Sequence, residues 1–407
     1  MNFAERFQQL DAWLVEHQQL WRAKPFTEHQ CSWENQWPEL AIWLRRRSLE
    51  QAEQAHTQLH LLDAPAPFGN LARAGIALTR LPDWSSQRHD ELPEPLYRHI
   101  PGRKWQQISR FAQASQARWQ QPASHWVDWC AGKGHLGRVL AWKTGHPLLC
   151  LEHNEQLNRD GEKLSEQFHL SARHQDADVL SPATWHHLAP EQSLVALHAC
   201  GQLHMTLLQQ AAASRCVQVA LAPCCYNRIE GPEYQPLSDT ARIAQLKLSK
   251  DDLGLPMQES VTAGQRARRL RDCSMAWRLA FDLWQREARN SDQYLPTPSR
   301  PESATNNGIA SFCRELANYH QLDLPEPDSW PEMERRGWQR LAEVRNLELV
   351  RGLFRRPLEM WLLLDRALFM QEAGYRVEIG LFCPSELTPR NFLLIAERPC
   401  AQVITSL

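Results

Sequence analysis

The sequence predicts an α/β fold, and three features carry that expectation. Short apolar runs alternate with helical segments between residues 125 and 227, a glycine-rich turn follows the first run, and a strand-like hairpin lies near the C-terminus. The runs are Trp126 to Trp129, Pro147 to Leu151, Leu194 to His198 and Val217 to Ala222. Such alternation indicates a parallel sheet with crossover helices, whose strands are buried on both faces and therefore read as apolar stretches. At the end, Tyr375 to Cys383 alternates like a strand, Ser385 to Pro389 makes a turn, and Asn391 to Ala396 is a second strand. That hairpin is expected to complete the sheet.

The remaining elements read as helical. From Phe3 to about Ala72, apolar residues recur at helical spacing, as in Phe3, Phe7, Leu10, Trp13 and Leu14. Proline-rich stretches at Ala64 to Gly69 and Leu92 to Pro101 disfavour both helix interior and central strand, which puts a boundary near residue 100. Arg103 to Ala117 reads as an amphipathic helix. After Tyr226 helical periodicity is expected to last until about Glu372, too long for a loop. The expected organisation is a helical N-terminal domain over 1–100, a sheet-bearing core over 101–227, a helical insertion over 228–372 and a hairpin over 373–407.

Composition narrows the class. A chain of 407 residues exceeds the usual size of one hydrophobic core, and its 43% hydrophobic and 23% charged shares are those of an ordinary globular protein. The N-terminus carries an acid and no continuous apolar run, and no stretch of about 18 apolar residues occurs. No export signal, membrane span or membrane partner is expected. Eleven cysteines without regular spacing suit free thiols in a reducing compartment, so a cytoplasmic location is expected. A net charge of −2 gives no overall attraction for nucleic acid, although a neutral protein can carry local basic faces.

The chemistry begins at Val127-Asp128-Trp-Cys130-Ala131-Gly132-Lys133-Gly134-His-Leu-Gly137, which leaves a strand and enters a helix. Glycines there allow a sharp turn and close approach of a ligand, and amides at the helix start attract polar groups. A bound nucleotide is implied. Gly132, Gly134 and Gly137 also satisfy the dinucleotide pattern, and Glu152 at the next strand end suits a ribose in either case. Asp128 shifts the balance, because an acid at the end of the first strand suits the cationic amino acid part of S-adenosylmethionine and repels a pyrophosphate. The candidate cofactor-binding residues are therefore Asp128, Cys130, Ala131, Gly132, Lys133, Gly134, Glu152 and His153.

Here the sequence resembles the class I methyltransferases. More narrowly, Asp128-x-Cys-Ala-Gly-Lys-Gly-His-Leu136, Leu197-His-Ala-Cys-Gly201, Pro223-Cys-Cys-Tyr226, Leu362-Leu-Leu-Asp-Arg366 and Pro389-Arg-Asn391 are similar to a family of methyltransferase-like proteins. That family includes the glutathione S-transferase C-terminal domain-containing protein and, more distantly, the tRNA acceptor-stem 2′-O-methyltransferases. The resemblance spans residues 100–400, roughly, and nothing in it covers the first hundred. Cys130 replaces the first glycine of the wider class, a change the narrower family tolerates. The resemblance implies a Rossmann-like seven-stranded sheet with an antiparallel C-terminal hairpin and S-adenosylmethionine as cofactor. It further implies that Asp128 faces the amino acid part, Gly132 and Gly134 allow close approach, Glu152 binds the ribose hydroxyls, and Asp176-Ala177 lies near the adenine. Asp178 competes for that last role.

His198, Cys200, Cys224, Cys225 and Tyr226 close two apolar runs, and in open α/β sheets the carboxyl ends of strands carry the ligand site. A sulfonium methyl is already activated, so the protein mainly aligns the acceptor and receives its proton. His198 suits that task near neutral pH, and Tyr226 suits stacking or hydrogen bonding to an acceptor. The cysteines admit three readings: a thiolate that adds to a pyrimidine, zinc ligation together with His198, or simple packing. The C-x₂-C spacing of a zinc site is missing, so no metal is expected. Adjacent cysteines in an extended segment point opposite ways, which leaves at most one facing the ligand and favours direct transfer to oxygen or nitrogen.

Basic residues cluster at Gln265 to Arg271, with Arg266, Arg268, Arg269 and Arg271 as candidate nucleic-acid contacts, and again at Arg335 to Arg340, followed by Arg345, Arg351, Arg355 and Arg356. Interleaved with Trp277, Trp284, Trp338 and Trp361 they suit phosphates and bases, although tryptophan at helical spacing is also ordinary core. The expected function is methyl transfer to RNA, tRNA or rRNA. The alternatives are methylation of a protein of translation, such as a ribosomal protein, or a binding module without catalysis.

Overall fold

The computed structural model describes residues 2–56, 58–85, 92–98, 100–258 and 265–399. The chain divides into two compact units, each assembled from separate segments. One comprises Met1–Val15, Leu78–Met257 and Pro357–Leu407, the other Glu16–Ala77 and Gln258–Arg356.

The first unit holds the sheet: β1 (His125–Trp129), β2 (Leu148–Glu152), β3 (Ala172–Asp176), β4 (Gln192–Cys200), β5 (Gln218–Cys224), β6 (Arg376–Leu381) and β7 (Phe392–Glu397). Their order is β3-β2-β1-β4-β5-β7-β6. The first five strands are parallel, and β7 inserts antiparallel to both β5 and β6. Chain direction across the sheet reverses between β1 and β4, so the crevice at their carboxyl ends is the topological switch point, where ligands bind in sheets of this type. The hairpin completes the sheet as expected.

The four apolar runs are β1, β2, β4 and β5, while β3 is a polar edge strand, Ala-Arg-His-Gln-Asp, half-buried at most. Helices Gly102–Gln116 and His135–Thr144 bury Ile108, Phe111, Val139 and Leu140 against Trp126, Val195, Ala220 and Leu393. The N-terminal helix Phe3–Glu16 belongs to this unit: its buried Asp11 accepts hydrogen bonds from the Trp361 indole and the amides of Gln245 and Leu246.

Among the described residues, the expected insertion over 228–372 is regularly helical only from Gln265. Residues 227–258 are mostly irregular, with a four-residue helix, Asp239–Arg242, and a 3₁₀ stretch, Asp252–Met257. The reason lies in tertiary hydrogen bonds that replace helical ones. Buried Asp365 accepts from the amides of Leu237 and Ser238, the Ser238 hydroxyl and the Tyr234 phenol, and Glu372 accepts from the Asp239 amide. Both acids stand on the 43-residue helix Trp330–Glu372.

The second unit packs helices Gln265–Arg289 and Gly308–Tyr319 against the first part of that long helix, with Trp277, Phe281, Trp284, Phe312, Leu341 and Val344 buried between them. No helix among the described residues is long and apolar enough to cross a membrane.

Candidate active site

The turn after β1 is built by positive φ angles at Cys130 (56°), Gly132 (59°) and Gly134 (68°). The glycines do different work. A Cβ on Gly134 would fall 2.8 Å from the His174 ring and 2.9 Å from the Cys150 sulfur, whereas one on Gly132 would meet nothing within 4 Å. Gly134 therefore closes the turn onto the sheet, and Gly132 leaves open space where a ligand can reach the backbone.

Asp128 is 3% exposed, and one carboxylate oxygen accepts the Gly137 amide at 2.8 Å. Its first task is to hold the start of helix His135–Thr144 against β1. Burial pushes its pKa up to about 7, opposed by the Gly137 hydrogen bond and by Arg138 and Lys104. A cation bound beside it would recover the cost of ionising this acid. Glu152 ends β2 with one oxygen on the Gly132 amide and the other on the Asn154 amide, both at 2.9 Å, and so ties the turn to the second strand. Asp176 lies opposite Glu152 in the register, beside the Asn158 amide group, and the Ala177 amide donates to the Glu152 carbonyl. Asp178 bonds the Leu180 amide of its own loop. Lys133 pairs with Asp160 at 2.8 Å, and His153 is exposed. Burial, with the charges of Glu152 and Asp128, pushes the Cys130 thiol far up, so it stays protonated.

On the other side of the switch point, the β4–β5 register shifts between Leu197 and Cys200. His198 takes φ 64° there, and the irregularity re-aims it toward helix Gly102–Gln116, where its Nε2 lies 2.8 Å from Gln107 Oε1. The Gln107 amide nitrogen donates to the Leu387 carbonyl, which fixes its oxygen toward the histidine. That assignment puts the proton on Nε2 and leaves Nδ1 as the lone pair. Burial, then Arg390 and Lys104, lowers His198 to about 4. This corrects the expectation of a histidine titrating near neutrality: the imidazole is neutral throughout the physiological range. Sequence reading missed Gln107, which carries no motif, and passed over the near-buried Arg390, whose Pro-Arg-Asn motif pointed to it.

The thiols also depart from expectation. Cys225 has φ 46°, which breaks the extended alternation, and the sulfurs of Cys200, Cys224 and Cys225 all lie within 4.8 Å of one another. Both adjacent cysteines therefore face the same cluster. Hydrogen bonding from Cys224 lowers Cys225 to about 5, helped by Cys200, Arg228 and Arg390, and Cys224 is driven up in exchange. Tyr226, by contrast, is 1% exposed and turned inward. Its ring packs on the Arg366 guanidinium at 5.1 Å and edge-on to His204, so it offers an acceptor no open face. Arg366, fully buried, bonds His204, Tyr234 and the Leu362 carbonyl. The Leu-Leu-Leu-Asp-Arg motif thus anchors the segment after β5 from below.

In the second unit, Arg266, Arg268 and Arg269 are exposed at the start of helix Gln265–Arg289 and Arg271 is half-buried. The later arginines are committed elsewhere: Arg336 pairs with Glu287, Arg340 with Glu343 and two backbone carbonyls, Arg345 with Asp272, and Arg351 bonds the Trp21 carbonyl. Trp277 and Trp284 are core residues, as is Trp361 in the sheet unit. Their burial removes them as base-stacking surfaces.

Residues 103–232 match a family model described as a methyltransferase domain. The matched segment contains the glycine turn and the two strand-end acids of the Rossmann-like sheet, and S-adenosylmethionine is the cofactor of methyltransferase domains. Among solved structures the chain is similar to the plantazolicin methyltransferase BpumL in complex with SAH, at 12% identity, TM-score 0.24, covering 46% of this chain and 60% of that one. It is similar to coclaurine N-methyltransferase bound to N-methylheliamine and SAH, at 11% identity, TM-score 0.25, covering 54% and 58%. A third is the cyclopropane synthase MmaA2 from Mycobacterium tuberculosis, at 12% identity, TM-score 0.27, covering 85% and 96%. The first two matches span less than two thirds of those chains.

Proposed function

We propose that this chain transfers the methyl group of S-adenosylmethionine directly to an oxygen or nitrogen of an RNA nucleotide, in tRNA or rRNA. The observation that carries the donor assignment is the pairing of the open Gly132 turn with Asp128 and Glu152 at two adjacent strand ends. The turn gives the nucleoside and its methionine tail access to backbone, Glu152 suits the ribose hydroxyls, and Asp128 supplies a negative charge for the cationic end. Transfer from a sulfonium needs little further chemistry: the acceptor must be held in line and its proton received. Neutral His198, with Nδ1 unprotonated and Nε2 held by Gln107, suits that second task. The RNA assignment rests on the exposed Arg266, Arg268 and Arg269 and on the family resemblance of the strand-end motifs.

Calorimetry with S-adenosylmethionine and, separately, NAD tests the donor reading. Binding of the first alone is expected. Binding of NAD alone would refute it.

A further inference from the structure

We propose that Cys200, Cys224 and Cys225 form a binding site for a soft divalent metal, zinc, held by three thiolates with its fourth position left to water. The three sulfurs lie within 4.8 Å of one another, and those of Cys200 and Cys224 are 3.6 Å apart. A tetrahedral Zn–S bond of about 2.3 Å requires sulfur separations of about 3.8 Å. One pair is thus at chelating distance, and the third sulfur closes with a small side-chain adjustment.

Simple packing does not demand what the backbone does to assemble this cluster. The β4 irregularity sets Cys200 beside Cys224 in the register, and Cys225 holds a left-handed conformation that costs about 1 kcal/mol or more for a residue with a Cβ. Two backbone hydrogen bonds lock the two strand ends together, Gly201 amide to Cys224 carbonyl and Gln202 amide to Arg228 carbonyl, and a third, Arg228 amide to Cys225 carbonyl, closes the turn after β5. Gly201 is required, since a Cβ there would lie 2.1 Å from the Arg228 carbonyl oxygen. Such a frame positions ligands before the metal arrives. Cys224 is buried on the inner side while Cys200 and Cys225 are half-exposed, so the ion has an entry path and an outward coordination position. Thiolates select zinc among the available divalent ions.

Charge and protons balance. Binding one M²⁺ as three thiolates displaces every proton the three sulfurs still carry and leaves a net charge of −1, which Arg228 and Arg390, both close enough to act on Cys225, offset. The released protons include those the Cys200 and Cys224 thiols now donate to the His198 and Ala199 carbonyls.

The test uses the full chain, purified anaerobically without a histidine tag. Elemental analysis should find about one zinc per chain, released by a thiol-reactive mercurial. Replacement by cobalt(II) should give an intense thiolate-to-cobalt charge-transfer band. Cys200→Ser and Cys225→Ser should each lower zinc content and weaken that band, whereas Cys216→Ser, away from the cluster, should keep both. Chain free of zinc that also shows no charge-transfer band on cobalt titration overturns the proposal, and so does copper(I) as the sole metal. Neither readout depends on variant folding. Calorimetry with S-adenosylmethionine on the same samples separates this outcome from failure of the donor assignment.

Discussion

Cofactor affinity should depend on pH through Asp128, and the structure gives the size of the effect. Burial raises this acid from 3.8 to about 7, so the ligand-free fold holds its proton at pH 6 and releases it by pH 8. The sign follows: a raised acid opposes the folded state in its ionised form, a cost absent below about pH 4, growing to about pH 7 and constant above, near 4 kcal/mol at about 1.4 kcal/mol per pH unit. A bound cation favours the ionised form, so binding is stronger where Asp128 is already charged. The ionised fraction rises from about one in eleven at pH 6 to about ten in eleven at pH 8, and wild-type affinity should rise about tenfold over that interval. Asp128→Asn keeps an oxygen for the Gly137 amide but cannot ionise, so its profile should lack this rise. Titration of the cofactor's own amino group is common to both proteins and cancels in the ratio of their dissociation constants. Calorimetry at pH 6, 7 and 8 measures that ratio, and parallel profiles for the two proteins would refute a charge contact between Asp128 and the donor.

Three further outcomes follow from the same geometry. Gly134→Ala combines a left-handed backbone with contacts near 2.8 Å and should cost the fold about 2–4 kcal/mol, while Gly132→Ala, strained but sterically free, should cost about 1 kcal/mol and act mainly on cofactor affinity; equal Tm losses for the two would contradict the division of roles. His198→Ala should reduce turnover by about a hundredfold with little change in cofactor affinity, and because folding lowers His198 to about 4, its contribution should stay level from pH 6 to 8 and fade only as pH drops toward 4; a covalent RNA adduct trapped with a fluorinated pyrimidine and lost in Cys225→Ser would instead install a thiolate nucleophile. Combined Arg268→Glu, Arg269→Glu and Arg271→Glu should abolish salt-sensitive RNA binding and spare cofactor affinity, and RNA binding unchanged by the reversal would remove this helix from the interface.

The parts of this fold legible in the sequence are those whose environment is uniform. Strands β1, β2, β4 and β5 are buried on both faces and therefore read as apolar runs, and the glycine turn is marked by the residue type its φ angles need. Edge strand β3 lacks an apolar face and left no periodic trace. His198 and Cys225 adopt left-handed conformations without being glycine, so nothing local announces the bulge or the clustering of thiols. The irregular course of residues 227–258 is set by Asp365 and Glu372, more than a hundred residues away in sequence, and no local pattern encodes such a partner. Tyr226 shows the same limit: a polar aromatic at a strand end suits a ligand, but the cation it packs on, Arg366, comes from the far helix.

Methyl transfer itself is the most direct test of the central claim. Purified protein supplied with methyl-labelled S-adenosylmethionine should label RNA from a strain lacking this chain and leave RNA from the parent strain, already modified, nearly unlabelled, with the product found as an O- or N-methylated nucleoside. Label appearing in ribosomal proteins and not in RNA would move the substrate to protein, and no transfer to either fraction by protein that binds the cofactor would contradict the assignment of catalysis.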